Sequence, residues 1–228
     1  AATSTVCQSI AELYERDFGV RPAVVRNSNP WQPLEPTPVA DDAVRLVHSG
    51  AAVHGRSLET MIDAVRVLDD RFTLDLFLVP GGDGGAYQRS LEQRAAGCDR
   101  IRFRDPVAPA ALPATLNGYD VGVFVIPPTH TNARLTLPNK FFDFVQARLG
   151  IVVGPTIEMQ RLVEQHGLGV VADGFAVDDV VRALAALTPD AVRTFKAASA
   201  AAARELSFET DAAVIGELVA PLLPGEAS

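Results

Sequence analysis

Short, almost fully apolar runs alternate with amphipathic segments along most of the chain. Three runs have the almost continuously apolar character of parallel strands covered on both faces: residues 74–79, 121–126 and 151–153. The segment over residues 57–69 places its apolar positions on one helical face. Strands alternating with helices through short connections predict an α/β fold, a doubly wound, Rossmann-like parallel sheet.

A proline-rich segment interrupts this pattern near the N-terminus. Residues 27–38 contain four prolines. Such density fixes φ and removes backbone donors, which predicts a semi-rigid linker and a domain boundary. Residues 3–7 and 23–26 before it are predicted to be short strands, with a helix over 9–18 between them. The chain opens almost directly on a strand and lacks an initiating Met, so we expect a piece of a longer protein.

Composition excludes several classes of protein. The net charge of −8 argues against nucleic acid as a partner, because such proteins normally carry a basic face. Cys7 and Cys98 are far apart and make no metal-ligand spacing, which favours two reduced thiols in a cytoplasmic protein. Apolar runs stay far below the roughly 20 residues that span a bilayer. No Asp-x-Asp pair or HExxH motif is encoded, so no metal site is predicted.

Ligands of doubly wound sheets bind outside the carboxyl ends of the strands. In the first connection, Gly50 ends a predicted strand and Arg56 starts the following helix, where an arginine can hold a phosphate bidentately. The alternative for Arg56 is a solvated position. The glycine-rich residues 81–85 match neither a dinucleotide fingerprint nor a Walker loop, which favours a turn.

The segment from Pro138 is the strongest candidate. Pro138 is predicted at the first helical position, with Asn139 and Lys140 at the N-terminus and Asp143 one turn later. Helix N-terminal N–H groups and a lysine favour an anion, and a carboxylate accepts hydrogen bonds from two hydroxyls. The alternative is that Lys140 and Asp143 form a solvated surface pair.

Two other connections hold further candidates. Arg102, Phe103 and Asp105 end the third predicted strand of the domain, where they could line a base pocket; a strand end with solvated arginines is the alternative. Residues 127–139 form a long polar connection that contains Asn132, and such length is typical of a binding loop. Glu158 lies in the first turn of another predicted helix, where an acid simply complements the helix dipole.

Several motifs occur in an ordered series: LVHSGAAVHGRSLETMIDAV, YDVGVFVIP, LPNKFFDFVQA and GPTIEM. In this order they resemble the GT-B glycosyltransferases of the retaining, family 4-like (group 1) type. The resemblance covers nearly the whole chain, and LPNKFFDF is its most specific element. It implies that residues 39–205 are the C-terminal, nucleotide-sugar-binding domain. Residues 1–38 would end an N-terminal acceptor domain and its linker, and residues 206–228 would cross back toward that domain.

The resemblance also implies roles for individual residues. Arg56 stands where the family has a cation that binds the diphosphate, and Lys140 and Asn139 face the donor phosphates or sugar. Asp143 stands where the family has a Glu that holds the ribose hydroxyls, and the strand end at residues 102–105 meets the base. Because the second family Glu falls at Leu135 here, Asn132 is the candidate for contacts with the donor sugar.

The implied function is metal-independent transfer of a sugar from a nucleoside-diphosphate sugar, the donor substrate, to a sugar or lipid-linked acceptor, without a cofactor. The family acts in cell-surface polysaccharide or glycoconjugate synthesis, in the cytoplasm and with peripheral membrane contact through the missing half. Two alternatives stay open: a non-catalytic nucleotide-sugar-binding or assembly module, and a nucleotide-sugar epimerase of the same fold. Arg148, which stands where the family has a glycine-containing motif, keeps the first of these open together with Leu135 and Ala51.

Overall fold

The computed structural model describes residues 2–129, 131–135 and 137–223. The strands are β1 (Ser4–Thr5), β2 (Ala23–Val24), β3 (Val44–Ala52), β4 (Phe72–Pro80), β5 (Ile101–Arg104), β6 (Val121–Phe124), β7 (Gly150–Val153) and β8 (Gly169–Val171). The helices are α1 (Gln8–Phe18), α2 (Glu59–Val67), α3 (Ala86–Ala95), α4 (Leu112–Leu116), α5 (Thr131–Arg134), α6 (Asn139–Gln146), α7 (Ile157–His166), α8 (Val177–Ala185), α9 (Pro189–Ala202) and α10 (Phe208–Val219). Short 3₁₀ turns precede α4 and follow α10.

Six of the strands form one parallel sheet in the order β5-β4-β3-β6-β7-β8. Helices α2, α3 and α8 pack on one face, and α4, α6 and α7 pack on the other. This confirms the predicted doubly wound, Rossmann-like sheet. The strand order reverses between β3 and β6, and the crevice at such a reversal is where open α/β sheets bind ligands.

Helix α6 is held tightly against β6. Its apolar side buries Phe141, Phe144 and Val145, as the helical period predicts. Gly122 in β6 permits this approach, because a Cβ there would collide with the Phe144 ring. The N-terminus of α6 is therefore fixed beside the carboxyl end of β6.

Three local predictions need correction. Strand β3 continues to Ala52, so Gly50 lies within the strand rather than after it. Pro138 is the N-cap of α6, with an extended ψ of 152°, and not its first helical residue. The long connection before α6 contains the short helix α5, which the polar sequence did not indicate.

The proline-rich segment is packed along α6 rather than exposed as a spacer. The Gln32 N–H donates to Oε1 of Gln146 at 3.1 Å. The Arg148 guanidinium donates to the carbonyls of Gln32 and Leu34 at 2.5 and 3.0 Å. These contacts hold the proline-rich segment against the C-terminal end of α6.

Arg148 ends helix α6 in an unusual way for a large residue. It has φ +61, the left-handed conformation that usually belongs to glycine after a helix. Its N–H donates to Val145 O at 3.0 Å and the next N–H donates to Phe144 O at 3.1 Å, which together form a Schellman motif. The side chain is buried, and burial lowers the pKa of the guanidinium.

Strands β1 and β2 form a separate two-stranded parallel sheet. Helix α1 joins it to the larger sheet through Glu158 in α7, which accepts from the N–H and hydroxyl of Ser9 at 2.8 and 2.5 Å. Helix α10 holds the other side through Asp211, which accepts from Arg26 at 2.9 Å. Glu158 is buried, and its hydrogen bonds with Ser9 join the two parts of the chain. Within the described ranges, no helix combines the length and apolar character needed to cross a membrane.

Candidate functional site

Two cavities open at the carboxyl edge of the sheet and meet at Lys140. The first, of about 360 Å³, is lined by Val53, His54, Gly55, Arg56, Phe124, Ile126, Pro127, Thr129, Ala133, Pro138 and Lys140. The second, of about 280 Å³, is lined by Asn29, Ser49, Gly50, Phe77, Val79, Pro106, Val107, Pro109, Leu112, Asn139, Lys140 and Asp143. They therefore lie at the reversal between β3 and β6 and extend along the neighbouring strand β4.

Lys140 is positioned by a glycine in β3. A Cβ at Gly50 would collide with the Lys140 ammonium, and Gly50 has φ +142, which side-chain-bearing residues rarely adopt. The ammonium lies 5.3 Å from the centre of the Phe124 ring. Burial, with a further contribution from the charge of Arg56, lowers the pKa of Lys140 from 10.5 to about 8.

Arg56 supplies the second positive charge at this junction. Its guanidinium donates to the Ala51 carbonyl at 3.2 Å, which holds the side chain beside the end of β3. A Cβ at Gly50 would lie 3.8 Å from the guanidinium and would also meet Lys140, so the two cations flank the same glycine. Two cations held close together favour a ligand with more than one negative charge.

A neutral histidine lies beneath these cations. His48 is fully buried in β3, and its Nδ1 hydrogen bonds to the Val123 carbonyl at 2.8 Å. Burial above all, and then the charges of Lys140 and Arg56, lower its pKa to about 3. His48 therefore adds no positive charge at neutral pH and supports the edge of the site by linking β3 to β6.

Asp143 lies in the second cavity and is partly buried. Burial raises its pKa to about 6, against the opposing effect of Lys140. The surface-pair interpretation of Lys140 and Asp143 does not describe this geometry, because both side chains line a cavity. Asp143 Oδ1 accepts a hydrogen bond from the Asn29 amide at 2.6 Å. Asn139 Oδ1 similarly accepts from Asn27 at 2.6 Å.

The two cavities differ in chemistry. The first combines the two cations with the N-terminal end of α6, which suits phosphate groups. The second has a mainly apolar wall built from β4 and residues 106–112, and a polar end at Asn139 and Asp143. An apolar cleft with a few convergent polar groups is the usual form of a small-molecule site.

The structure brings together Gly50, Arg56, Asn139, Lys140 and Asp143. Asn132 lies in α5, next to Ala133 of the first cavity, but its side chain is outside the described residues.

The predicted base-pocket residues lie elsewhere. Arg102 and Phe103 line a different cavity near the end of α3. Asp105 is exposed beside Pro106, which does line the second cavity. The apolar wall of that cavity is thus made by Phe77 and by the residues that follow Asp105.

Sequence reasoning missed two groups of residues in this site. Phe77 and Val79 read as ordinary strand residues. Phe77 lies opposite Arg104, the last residue of β5, and Val79 lies beyond that end, so only the register of the two strands could have indicated them. Asn29 lies in the proline-rich segment, where no sequence signal places it beside α6. Among the described residues, no three His, Cys, Asp or Glu side chains converge as a metal site would require.

Solved structures share this architecture. A glycosyltransferase from Rickettsia africae superposes with a TM-score of 0.77 at 9% identity, over 99% of this chain and 64% of that one. Sucrose-phosphate synthase from Thermosynechococcus elongatus gives 0.73 at 16% identity, over 95% and 57%. The pneumococcal O-GlcNAc transferase GtfA, solved with UDP and GlcNAc, gives 0.70 at 14% identity, over 96% and 44%.

The chain has the Rossmann-like fold found in GT-B glycosyltransferase structures. At these identities the likeness is one of fold, and the expected fold is confirmed. No family model and no curated sequence matches the chain. The chain spans 44% to 64% of the length of the GT-B structures named above. Its six-stranded sheet matches a Rossmann-like sheet of these proteins.

Proposed function

We propose that this chain is the donor-binding part of a glycosyltransferase that uses a nucleoside-diphosphate sugar. The observation that carries the proposal is the meeting of two cavities at Lys140, with Arg56 on one side and Asp143 on the other. A nucleoside diphosphate has the matching order of groups: an apolar base, a ribose diol, and two phosphates. The base would lie against the wall formed by Phe77 and residues 106–112, and the ribose against Asp143.

The chemistry of transfer follows from this placement. The bond between the anomeric carbon and the terminal phosphate oxygen breaks as the acceptor oxygen bonds to that carbon. The acceptor proton passes to the departing diphosphate. Negative charge grows on the diphosphate during this step, and it would be stabilised by Arg56 and Lys140, which line the first cavity, and by the N-terminus of α6. Fixed positive groups stabilise such charge without reorganisation. We propose that no metal or cofactor takes part, and that anomeric configuration is retained by attack from the leaving-group side.

The acceptor would be held by a second domain that the N-terminal part of this chain completes. In the part of the chain that the structure describes, sheet β1–β2 has two parallel strands, and parallel sheets normally have more strands and helices on both faces. Large apolar side chains are exposed on α1 and α10, including Tyr14, Phe18 and Ile215. We therefore propose that residues 1–38 and 206–228 join an acceptor domain to the donor domain at 39–205. A sugar or lipid-linked acceptor, cell-surface glycoconjugate synthesis, and a cytoplasmic, membrane-peripheral location belong to this proposal.

Titration with nucleoside diphosphates tests the donor site directly. Uridine, guanosine and adenosine diphosphates are titrated calorimetrically into the wild-type chain and into Arg56→Ala. We expect at least one diphosphate to bind, and Arg56→Ala to weaken it at least tenfold, about 1.4 kcal/mol. The matched control is Arg66→Ala, which removes the same charge from the far end of α2, where Arg66 donates to the carbonyls of Arg94 and Ala96.

Two results would contradict the proposal. If none of the three diphosphates binds the wild-type chain, the donor-site assignment fails. Equal affinities of Arg56→Ala and Arg66→Ala would remove Arg56 from the site. For the domain assignment, residues 1–228 alone are expected to show no transfer to added acceptors; efficient transfer by this chain would refute it.

A further inference from the structure

The proline-rich segment reaches into the candidate donor site through one side chain. Asn29 lines the second cavity, and its amide donates to Asp143 Oδ1 at 2.6 Å. The same amide lies 3.4 Å from the Asn139 carbonyl. Among the described residues, the one hydrogen bond to the Asp143 carboxylate is on Oδ1, and none involves Oδ2.

We infer that Asn29 is a positioning residue for the donor site: it fixes the Asp143 carboxylate so that the second oxygen faces the ribose hydroxyls. This role rests on the proposed function. A carboxylate turns about its terminal torsion in a broad, two-fold well. A hydrogen bond from a neutral amide to a charged acceptor is among the stronger ones in proteins, and here it is made inside a partly buried cavity.

The need for such a partner follows from the length of Asp143. Aspartate has one fewer rotatable bond than glutamate, so its carboxylate stays close to α6 and has a smaller choice of positions. Burial already opposes its charge. An amide that donates to one oxygen stabilises the ionised carboxylate and leaves the other oxygen as an acceptor for a hydroxyl.

The backbone of Asn29 is itself held in place. Its carbonyl accepts from the Phe208 N–H at 2.9 Å, and the neighbouring Trp31 N–H donates to Glu209 at 3.0 Å. Asn29 is thus anchored by α10 while its side chain reaches α6. Through Asn29, the proline-rich segment thus links α10 to the candidate ribose site on α6.

Ribose discrimination provides the test. The affinity of the wild-type chain for uridine, guanosine and adenosine diphosphates is compared with that for their 2′-deoxy and 3′-deoxy analogues. A site built to accept a hydroxyl rejects the analogue that lacks it. We therefore expect the ribose diphosphate to bind about tenfold more tightly than one of the two deoxy analogues, equivalent to about 1.4 kcal/mol. In Asn29→Ala that preference should fall below about threefold, equivalent to roughly 0.65 kcal/mol.

A matched control and a double mutant separate positioning from general damage. Asn27→Ala removes the neighbouring amide that contacts Asn139 instead of Asp143, and it should keep the full preference. In an Asp143→Ala background, Asn29→Ala should cause no further loss of preference, because residues that act through one group are not additive. If Asn29→Ala is too unstable to assay, Asn29→Leu, which keeps a similar shape and has no donor, takes its place and should lose the preference in the same way.

The outcomes are distinguishable. A full ribose preference in both Asn29 variants would overturn the inference while leaving the donor site intact. An equal loss in Asn27→Ala would also overturn it, since that result indicates damage to the segment as a whole. If the wild-type chain binds none of the diphosphates, the proposed function fails and this role fails with it.

Discussion

The lowered pKa of Lys140 predicts that donor binding depends on pH in a specific direction. In the unliganded chain this pKa is about 8, so Lys140 is about ten-elevenths protonated at pH 7 and about one-eleventh protonated at pH 9. A bound diphosphate should raise the pKa above 9, because an adjacent negative charge favours the ammonium form. Binding at pH 9 must therefore include uptake of a proton.

The size of the effect follows from those populations. The competent, protonated form falls about tenfold between pH 7 and pH 9, so the affinity for a nucleoside diphosphate should fall about tenfold, or 1.4 kcal/mol. Asp143, His48 and the terminal phosphate of the ligand contribute little in this range. Asp143 has a pKa of about 6 and His48 of about 3, and the terminal phosphate loses its last proton near pH 6.

Calorimetric titration of adenosine diphosphate at several pH values measures this dependence. Lys140→Arg is the matched variant, since arginine keeps its charge throughout the range. It should bind at pH 7 and show little change at pH 9. Lys140→Met should bind weakly at both values. If wild type and Lys140→Arg lose affinity in parallel, the titrating group is not Lys140 and the reasoning is refuted.

The same pKa predicts a change in stability. Because the unfolded chain retains the proton of Lys140 between about pH 8 and pH 10.5 while the folded chain releases it, stability should rise with pH across that interval. Below pH 8 the buried ammonium destabilises the fold by up to roughly 3 kcal/mol. Lys140→Met should therefore be more stable than wild type at pH 7 in urea unfolding, although it binds less well.

Two further predictions concern backbone geometry. Gly50→Ala should reduce diphosphate affinity about tenfold, because the added Cβ displaces the Lys140 ammonium; Gly19→Ala, also at positive φ but in open space, should lose stability alone, and equal affinities of the two variants would contradict this. Arg148→Ala should destabilise the chain by about 3 kcal/mol in urea unfolding, since buried carbonyls lose their donor. Arg148→Gly should lose about 1 kcal/mol less, because glycine adopts the left-handed conformation without strain; equal losses would contradict the assigned strain.

The parallel sheet could be predicted from the sequence because its physical signal is local. Buried parallel strands favour near-continuous apolar runs, and the amphipathic helices between them show a 3.6-residue period, so both patterns are visible without any tertiary information. The same locality explains why Arg56, Lys140 and Asp143 could be placed at one edge. Each follows the carboxyl end of a strand or begins a helix there, and the topology then gathers them.

The cavity-lining residues that the sequence did not predict depend on contacts between distant segments. Whether Arg102 or Phe77 lines the second cavity depends on the register between β4 and β5, in which Asp75 lies opposite Arg102 and Phe77 lies opposite Arg104. Asn29 is separated from Asp143 by 114 positions, and nothing in a proline-rich stretch indicates which helix it will follow. Long-range packing of irregular segments leaves no periodic signature, so these residues emerge only from the structure.

Arg148 illustrates how a departure from an expected motif can have a structural cause. Glycine is favoured after α6 because the chain must adopt positive φ there. Arginine tolerates this conformation here because its guanidinium donates to two carbonyls of the helix end and two of the proline-rich segment. The strain of one residue is thus offset by hydrogen bonds that fasten the segment along α6. That segment also places Asn29 in the donor cavity. Replacing Arg148, which lines neither cavity, should therefore still lower the ribose preference. Arg148 therefore supports the structure of the site, and its presence is not an argument against the proposed function.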